Sequence, residues 1–305
     1  MKTTIDYLTF RTQAEPVQVL EALKPLFGEH GPSMRLKGLE RGALGFERAA
    51  QVVIGDMAIA RFDFGGVSQR GWLRGSISGK ACEWVQDWDA IEELERLPAA
   101  EPRRLDIALT TWAAEVGHDM VVQAHTENRF HTGGRPPALQ QITSSDERDG
   151  RTCYVGKRTS DKFFRAYEKG YEMCAKYRHL LNNITEVDGF PIHGIYRCEV
   201  ELKSKTRPIG WDVIERRDQY FAGAYPFCAD ILPGIEADIL QRRKERAPQT
   251  DLALALENCK IQFGPTLFTA LAAYHGDIGA VWDRVIGRSH CQPLLEAGVL
   301  LVDHE

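Results

Sequence analysis

Between Tyr154 and Glu172 the chain reads Y-V-G-K-R-T-S-D-K-F-F-R-A-Y-E-K-G-Y-E. In an extended conformation, Lys162 to Lys169 would put Phe163, Arg165, Tyr167 and Lys169 on one face, because strand side chains alternate. A phenol between two cations has what attack on a phosphodiester needs: positive charge favours the phenolate and grips the phosphate oxygens. Tyr167 is therefore the candidate nucleophile, and Arg165 and Lys169 are the candidate phosphate contacts. Tyr171, four residues on, reads better as a packing residue, and Tyr154 as a strand residue near the site.

Two further segments alternate as sharply. In Arg104–Leu109, Leu105, Ile107 and Leu109 share one side, and Arg104, Asp106 and Ala108 the other. In Tyr196–Lys203, Cys198, Val200 and Leu202 form an apolar side against Arg197, Glu199, Glu201 and Lys203. If these strands and the Tyr167 strand share one sheet, its dry side meets helices and its wet side gathers carboxylates, arginines and one tyrosine. Asp106 and Glu199, with Glu201 or Asp6, could then hold a hard divalent cation through oxygen ligands while Tyr167 attacks a phosphorus. The plainer reading is an exposed sheet with cross-strand ion pairs of about 0.2 to 1 kcal/mol each, and the alternation by itself leaves both open.

The rest of the chain supplies the scaffold. Ile5 to Phe10 reads as a strand, and Pro16 to about Lys24 as an amphipathic helix ended by Pro25. Gly42 to Gly79 alternates between glycines, as antiparallel strands with tight turns do. Cys82 to Leu97 reads as a helix, a helix-like piece follows Gly117, and the stretch up to Gly150 becomes loop. Thr152–Val155 pairs with the Tyr167 strand, Tyr171–Leu181 is helical, and Tyr196–Lys203 is the last clear strand. Beyond Lys205 helices separated by prolines dominate, which places a domain boundary near residue 206.

Composition sets outer limits. With 43% apolar and 27% charged residues over 305 positions, a packed core is feasible and disorder is not the default. Net charge is −5, so nucleic-acid binding has to rest on local charge. From Arg151 to Arg178, eight basic residues against three acids leave +5. Lys157, Arg158, Lys162, Arg197 and Lys203 are the candidate DNA contacts, whereas Arg242, Arg243, Lys244 and Arg246 read as a solvated helix end. The seven cysteines show no C-x-x-C pair and read as reduced core thiols. No apolar run approaches the ~18 residues of a membrane span, so a cytoplasmic protein without a membrane partner is expected. The six tryptophans read as core residues.

Tyr154-Val-Gly-Lys-Arg-Thr-Ser-Asp-Lys-Phe-Phe-Arg-Ala-Tyr167-Glu-Lys169 resembles the Y-x-G-x-R-x-S-x-x-F-x-R-x-Y-x-K signature of the replication initiation factor family, the Rep_trans group of rolling-circle initiators. Arg197-Cys-Glu199-Val-Glu201-Leu-Lys203 is similar to its R-x-E-x-E-L-K strand, and Arg104-Leu-Asp106-Ile-Ala108 to its R-L-D-x-A strand. Asp6 falls where members begin with an aspartate-bearing strand. The resemblance implies that Tyr167 nicks one strand at a replication origin, keeps the 5′ phosphate and frees a 3′ hydroxyl. It also implies Asp106, Glu199 and Glu201 as ligands of Mg²⁺ or Mn²⁺. Thr110 departs from it, since members often carry an acid there. No His-hydrophobe-His pair occurs, so the histidine-ligated nicking initiators do not fit.

The expected fold is α+β: an antiparallel sheet with helices on one face, then a mostly helical carboxy-terminal part. Residues 1–206 would form a nicking domain and residues 207–305 a helical subdomain that reads duplex or mediates a homodimer. Origin DNA, duplex and single-stranded, is the expected partner, with a host helicase and polymerase following. A phage or plasmid origin is the expected substrate; a conjugative relaxase and a non-catalytic DNA-binding protein are the alternatives.

Overall fold

Strict alternation of apolar and polar side chains has one efficient outcome, a sheet dry on one side. The structure, a computed structural model, describes residues 2–175, 184–240, 252–291 and 294–295. Ten strands form one wholly antiparallel sheet: β1 (Thr4–Thr12), β2 (Met34–Leu39), β3 (Arg48–Ile54), β4 (Met57–Phe64), β5 (Leu73–Ile77), β6 (Glu101–Thr111), β7 (Leu139–Ile142), β8 (Thr152–Val155), β9 (Lys162–Tyr167) and β12 (Tyr196–Lys203). Their spatial order is β2-β3-β4-β5-β1-β6-β12-β9-β8-β7. Between β9 and β12 a small hairpin pairs β10 (Glu186–Val187) with β11 (Phe190–Pro191).

Leu8, Phe10, Phe62, Leu105, Ile107, Phe164, Ala166, Val200 and Leu202 line the dry side, all under 10% exposed. They share one core with Val19, Leu20 and Leu23 of the helix Pro16–Leu23, and with Phe221, Phe227 and Cys228 of the helices Arg217–Ala222 and Pro226–Ile231. Burying each large apolar side chain contributes about 1.5–3 kcal/mol. Pro16 starts the first helix, where its missing N–H costs nothing, and Glu15 and Gln18 close a capping box across that turn. Phe130 ties the far end together, its ring centroid 4.9 Å from Phe164 and 5.1 Å from Phe227.

The chain divides at Arg242/Arg243 and not near residue 206. Trp211, Val213, Ile214, Phe221 and Phe227 all bury into the sheet's core, and the Thr3 N–H donates to Asp218 at 2.8 Å. The change from strands to helices after Lys205 therefore marks a change of layer within one unit. The unit 243–305 contains the helices Leu252–Ala273 and Ile278–Val285, the second capped by Asp277, which accepts from the Ala280 N–H at 3.0 Å.

Other expectations shift locally. The single helix expected over Cys82 to Leu97 is broken into the helix Gly79–Cys82, a 3₁₀ turn Asp89–Ile91 and the helix Glu92–Glu95. The N–H groups of Gln86 and Asp87 donate instead to the Leu26 carbonyl, at 2.8 and 3.1 Å, a tertiary bond that competes with helix propagation. The helix expected over Tyr171–Leu181 occupies Lys169–Cys174; residues 176–183, with Lys176 and Arg178, lie outside the described residues, as do Arg242, Arg243, Lys244 and Arg246. Five cysteines are buried and in no disulfide, while Cys259 and Cys291 are exposed. No helix among the described residues is long and apolar enough to cross a membrane.

Gly75 of β5 faces Phe10 and Phe62 across the dry side, and a Cβ there would run into Cζ, Cε1 and Cε2 of Phe10. Gly75→Ala should therefore lose about 1–3 kcal/mol in urea unfolding through overpacking, with no change in m. Wild-type stability in that variant would show that the Phe10 ring moves freely.

Candidate functional site

Strand register assembles the site. β12 lies between β6 and β9, with Arg197 opposite both Thr110 and Tyr167, Glu199 opposite Ala108 and Arg165, and Glu201 opposite Asp106 and Phe163. Directly opposed residues point to the same side, so Tyr167, Arg165, Arg197, Glu199, Glu201, Asp106 and Arg104 all face away from the helical core. A register shift between Ile5 and Tyr7 of β1 marks Asp6 as a bulge residue, and its carboxylate accepts from Arg197 Nη1 at 2.8 Å.

Tyr167 is half-buried at the end of β9. Its hydroxyl donates to Glu199 Oε1 at 2.8 Å, and Arg165 Nε donates to Glu199 Oε2 at 2.9 Å. Glu199 is 2% exposed, so this carboxylate lies under the tyrosine and the guanidinium. The Arg165 Cζ and Lys169 Nζ lie 5.4 and 5.7 Å from the centre of the Tyr167 ring, flanking it as expected. Lys169, however, is not on the strand: β9 ends at Tyr167, and Lys169 opens a helix and pairs with Glu172.

The flanking cations do not yield a phenolate. Burial pushes the Tyr167 phenol above its ordinary range, the Glu199 charge and hydrogen bond add to this, and Arg197 only partly opposes them. The cause is that Arg165 is committed to Glu199, so what the phenol meets first is a carboxylate. The expectation drawn from the cations alone is reversed: Tyr167 is held protonated, with a proton acceptor in contact.

A cleft of about 650 Å³ opens above this end of the sheet, lined among others by Asp6, Lys80, Glu83, Trp112, Tyr167, Lys169 and Arg197. Lys80, Glu83 and Trp112 escaped the sequence reading because they sit at element ends without motif or periodicity. Trp112 directly follows β6, on the wet side's phase with Thr110, and that phase was the available signal.

The three carboxylates expected to bind metal are engaged with cations. Arg104 donates to Asp106 from Nε and Nη2, at 2.8 and 2.6 Å, and reaches Glu201 at 3.0 Å; Lys203 pairs with Glu201, and Arg165 with Glu199. Among the described residues no group of three or more His, Cys, Asp or Glu is disposed to hold a metal ion. Asp106, Glu199 and Glu201 in this arrangement do not fit a dication, because their charges are already met by guanidinium and ammonium groups. Thr110 accepts from Arg197 Nε at 2.8 Å, and among the described residues Asp6 is the charged partner of that guanidinium.

The expected DNA contacts separate into three places. Arg197 lies beside Tyr167. Lys203 and Arg158 meet at the other end of β9 and β12, where Lys203 donates to the Arg158 carbonyl, Arg158 lies 5.1 Å from the Tyr154 ring centre, and Lys157 is exposed in the same turn. Lys162 is on the opposite side of the sheet: it donates to the Ala224 carbonyl and sits 4.0 Å from the Tyr225 ring centre. Burial lowers its amine to about 8. Strand phase explains this, since Lys162, Phe164 and Ala166 share the dry side.

Residues 101–251 match the family model described as replication initiation factor. The fold is similar to that of the rolling circle replication initiator protein from Geobacillus stearothermophilus, at 16% identity and a TM-score of 0.55, covering 78% of this chain and 99% of that one. No curated protein matches the chain in sequence.

Two outcomes check the electrostatics. Glu199→Gln should bring the Tyr167 phenol down toward its ordinary range in an ultraviolet difference titration; an unchanged titration would leave burial as the whole cause. Burial also raises Asp106 from 3.8 to about 6 despite the Arg104 pair. A raised carboxyl pKa contributes stability that is full below about pH 4 and is lost as pH rises through about 6. Melting curves across that window should fall less steeply with pH in Asp106→Asn than in wild type.

Proposed function

We propose that this chain initiates rolling-circle DNA replication by nicking one strand at a specific site and later rejoining it, through a covalent 5′-phosphotyrosine on Tyr167. One observation carries the reading: a half-buried phenol at a cleft donates to a buried carboxylate, with Arg165, Arg197 and Lys169 around it. The match of residues 101–251 to the replication initiation factor model and the likeness of the fold to a rolling circle initiator support it.

The chain's own groups account for the steps as follows. Glu199 Oε1 takes the phenolic proton as Tyr167 Oη attacks phosphorus, because a phenol held above its ordinary range offers little free phenolate at neutral pH. The new bond joins Oη to the 5′ phosphate; the bond from phosphorus to the 3′ oxygen breaks, and that oxygen takes a proton from solvent to become the 3′ hydroxyl. Arg197 and Lys169, both lining the cleft, meet the charge that grows on the phosphoryl oxygens. Rejoining runs in reverse, with Glu199 returning the proton to Tyr167. The resemblance brings Mg²⁺ or Mn²⁺ with it, but Asp106, Glu199 and Glu201 as placed are paired with Arg104, Arg165 and Lys203 and do not form its site.

Incubation with origin DNA should give a denaturation-resistant protein–DNA adduct that is lost in Tyr167→Phe and retained in Tyr171→Phe. Glu199→Gln should slow adduct formation roughly 10²–10⁴-fold while DNA retention stays near wild type. An adduct that persists in Tyr167→Phe would falsify the nucleophile. Retention of DNA without any adduct in wild type would make the protein a binding module.

A further inference from the structure

The family match begins at Glu101, so strands β2 to β5 and β1 lie outside it, yet they continue the same sheet. Their registers bring one residue from each strand into a single row. Lys37 of β2 faces Gln51 of β3, which faces Arg61 of β4, then Ser76 of β5, Thr9 of β1, Arg104 of β6 and Lys203 of β12. Because directly opposed residues point the same way, the row lies on the side that also carries Tyr167. Six steps of about 4.8 Å give it a span of roughly 29 Å.

Charge along this side is mostly positive. On β1 to β5 it presents Arg11, Arg35, Lys37, Arg61 and Arg74 against two strand acids, the buried Asp63 and the bulge residue Asp6 that meets Arg197; Arg11 also pairs with Glu101 of β6. Asp63 serves two arginines at once, Arg61 at 2.7 Å and Arg74 at 3.2 Å, so that group keeps a net positive charge. Lys37 and Arg35 are exposed on β2. In a chain of net charge −5 this segregation has a partner of opposite sign as its natural complement.

Aromatic rings interleave with the cations. Trp72, in phase with Arg74 and Ser76, has the Arg11 guanidinium 4.0 Å from its ring centre, and Tyr7 has that of Arg104 at 4.6 Å. A cationic track with rings beside it is how single-stranded nucleic acid is held without base-specific contacts, phosphates on the cations and bases on the rings. At its β6–β12 end the row reaches Arg104 and Lys203, on the two central strands whose other ends hold Thr110 and Arg197 beside Tyr167.

We propose that the side of β1 to β5 that faces the same way as Tyr167 is a single-stranded DNA track that continues from the Tyr167 cleft through Arg104 and Lys203 to the exposed Lys37 and Arg35, the DNA lying on the long basic side chains above the buried Thr9 and Asp63. It rests on the DNA-nicking reading and adds to it where the strand flanking the cut is held. The track binds phosphate backbone irrespective of sequence, so it anchors the substrate while recognition of the origin lies elsewhere.

The test compares Arg35→Gln/Lys37→Gln with wild type on two fluorescent single-stranded oligonucleotides, one confined to the cleavage site and one extended well beyond it on both sides. Both side chains are exposed on an edge strand, so the fold is retained, which far-ultraviolet circular dichroism checks. The double variant should bind the extended oligonucleotide roughly tenfold more weakly, with the slope of log affinity against log salt flatter by about 1.4, and bind the short one as wild type does. Equal affinity and equal slope on the extended oligonucleotide would overturn the track. So would a loss confined to duplex DNA, which would make duplex the occupant. Adduct formation at Tyr167 on the short oligonucleotide reads the nicking proposal separately: an adduct with no effect of the double variant sinks the track alone, and weakened binding without any adduct in wild type sinks the nicking alone.

Discussion

The contact on which the site depends is the buried Glu199 carboxylate shared by the Tyr167 hydroxyl and the Arg165 guanidinium. A carboxylate at 2% exposure is costly unless its oxygens are satisfied, and here one oxygen accepts from a phenol while the other accepts from a guanidinium. That arrangement orients the tyrosine, keeps it protonated and places a proton acceptor in contact with it. It exists only while β9 and β12 keep their register, since a slip of one residue would turn Tyr167 into the core and bring Ala166 to the surface.

The same register makes the rest of the wet side a lattice of alternating charge. Asp106 and Glu201 share Arg104, Glu201 adds Lys203, and Arg197 spans Thr110 and Asp6. Each acid is met by a base on an adjacent strand or two residues along its own, so three central strands can carry many charges at low exposure without an uncompensated one. The bulge at Asp6 matters in this respect, because it turns a β1 carboxylate toward a guanidinium on β12, two strands away. Outward from this balanced centre, across β1 to β5, the acids thin out and the basic side chains remain.

Much of this was legible in alternation. The pattern in Arg104–Leu109, Tyr196–Lys203 and Lys162–Tyr167 identified the wet-side residues correctly, because the period of two is a local property of extended chain. Lys162 and Lys169 show where that reasoning stops. Lys162 differs from Arg165 by an odd number of positions and so falls on the dry side, and Lys169 leaves the strand by opening a helix. The 206 boundary failed for a related reason: the switch from strands to helices is visible in the residues, but whether those helices pack on the sheet depends on apolar partners that are distant in sequence.

By itself the amino-acid sequence determined the nucleophile candidate, the strand phases and the family resemblance, all of which depend on neighbours within a few positions or on a contiguous motif. Only the tertiary structure decided which carboxylate meets Tyr167, in which direction its phenol is shifted, and that Asp106, Glu199 and Glu201 are spoken for by arginine and lysine. The Tyr167–Glu199, Arg165–Glu199 and Arg104–Glu201 pairings join residues tens of positions apart, and the shift of the phenol turns on burial; neither is a function of local pattern.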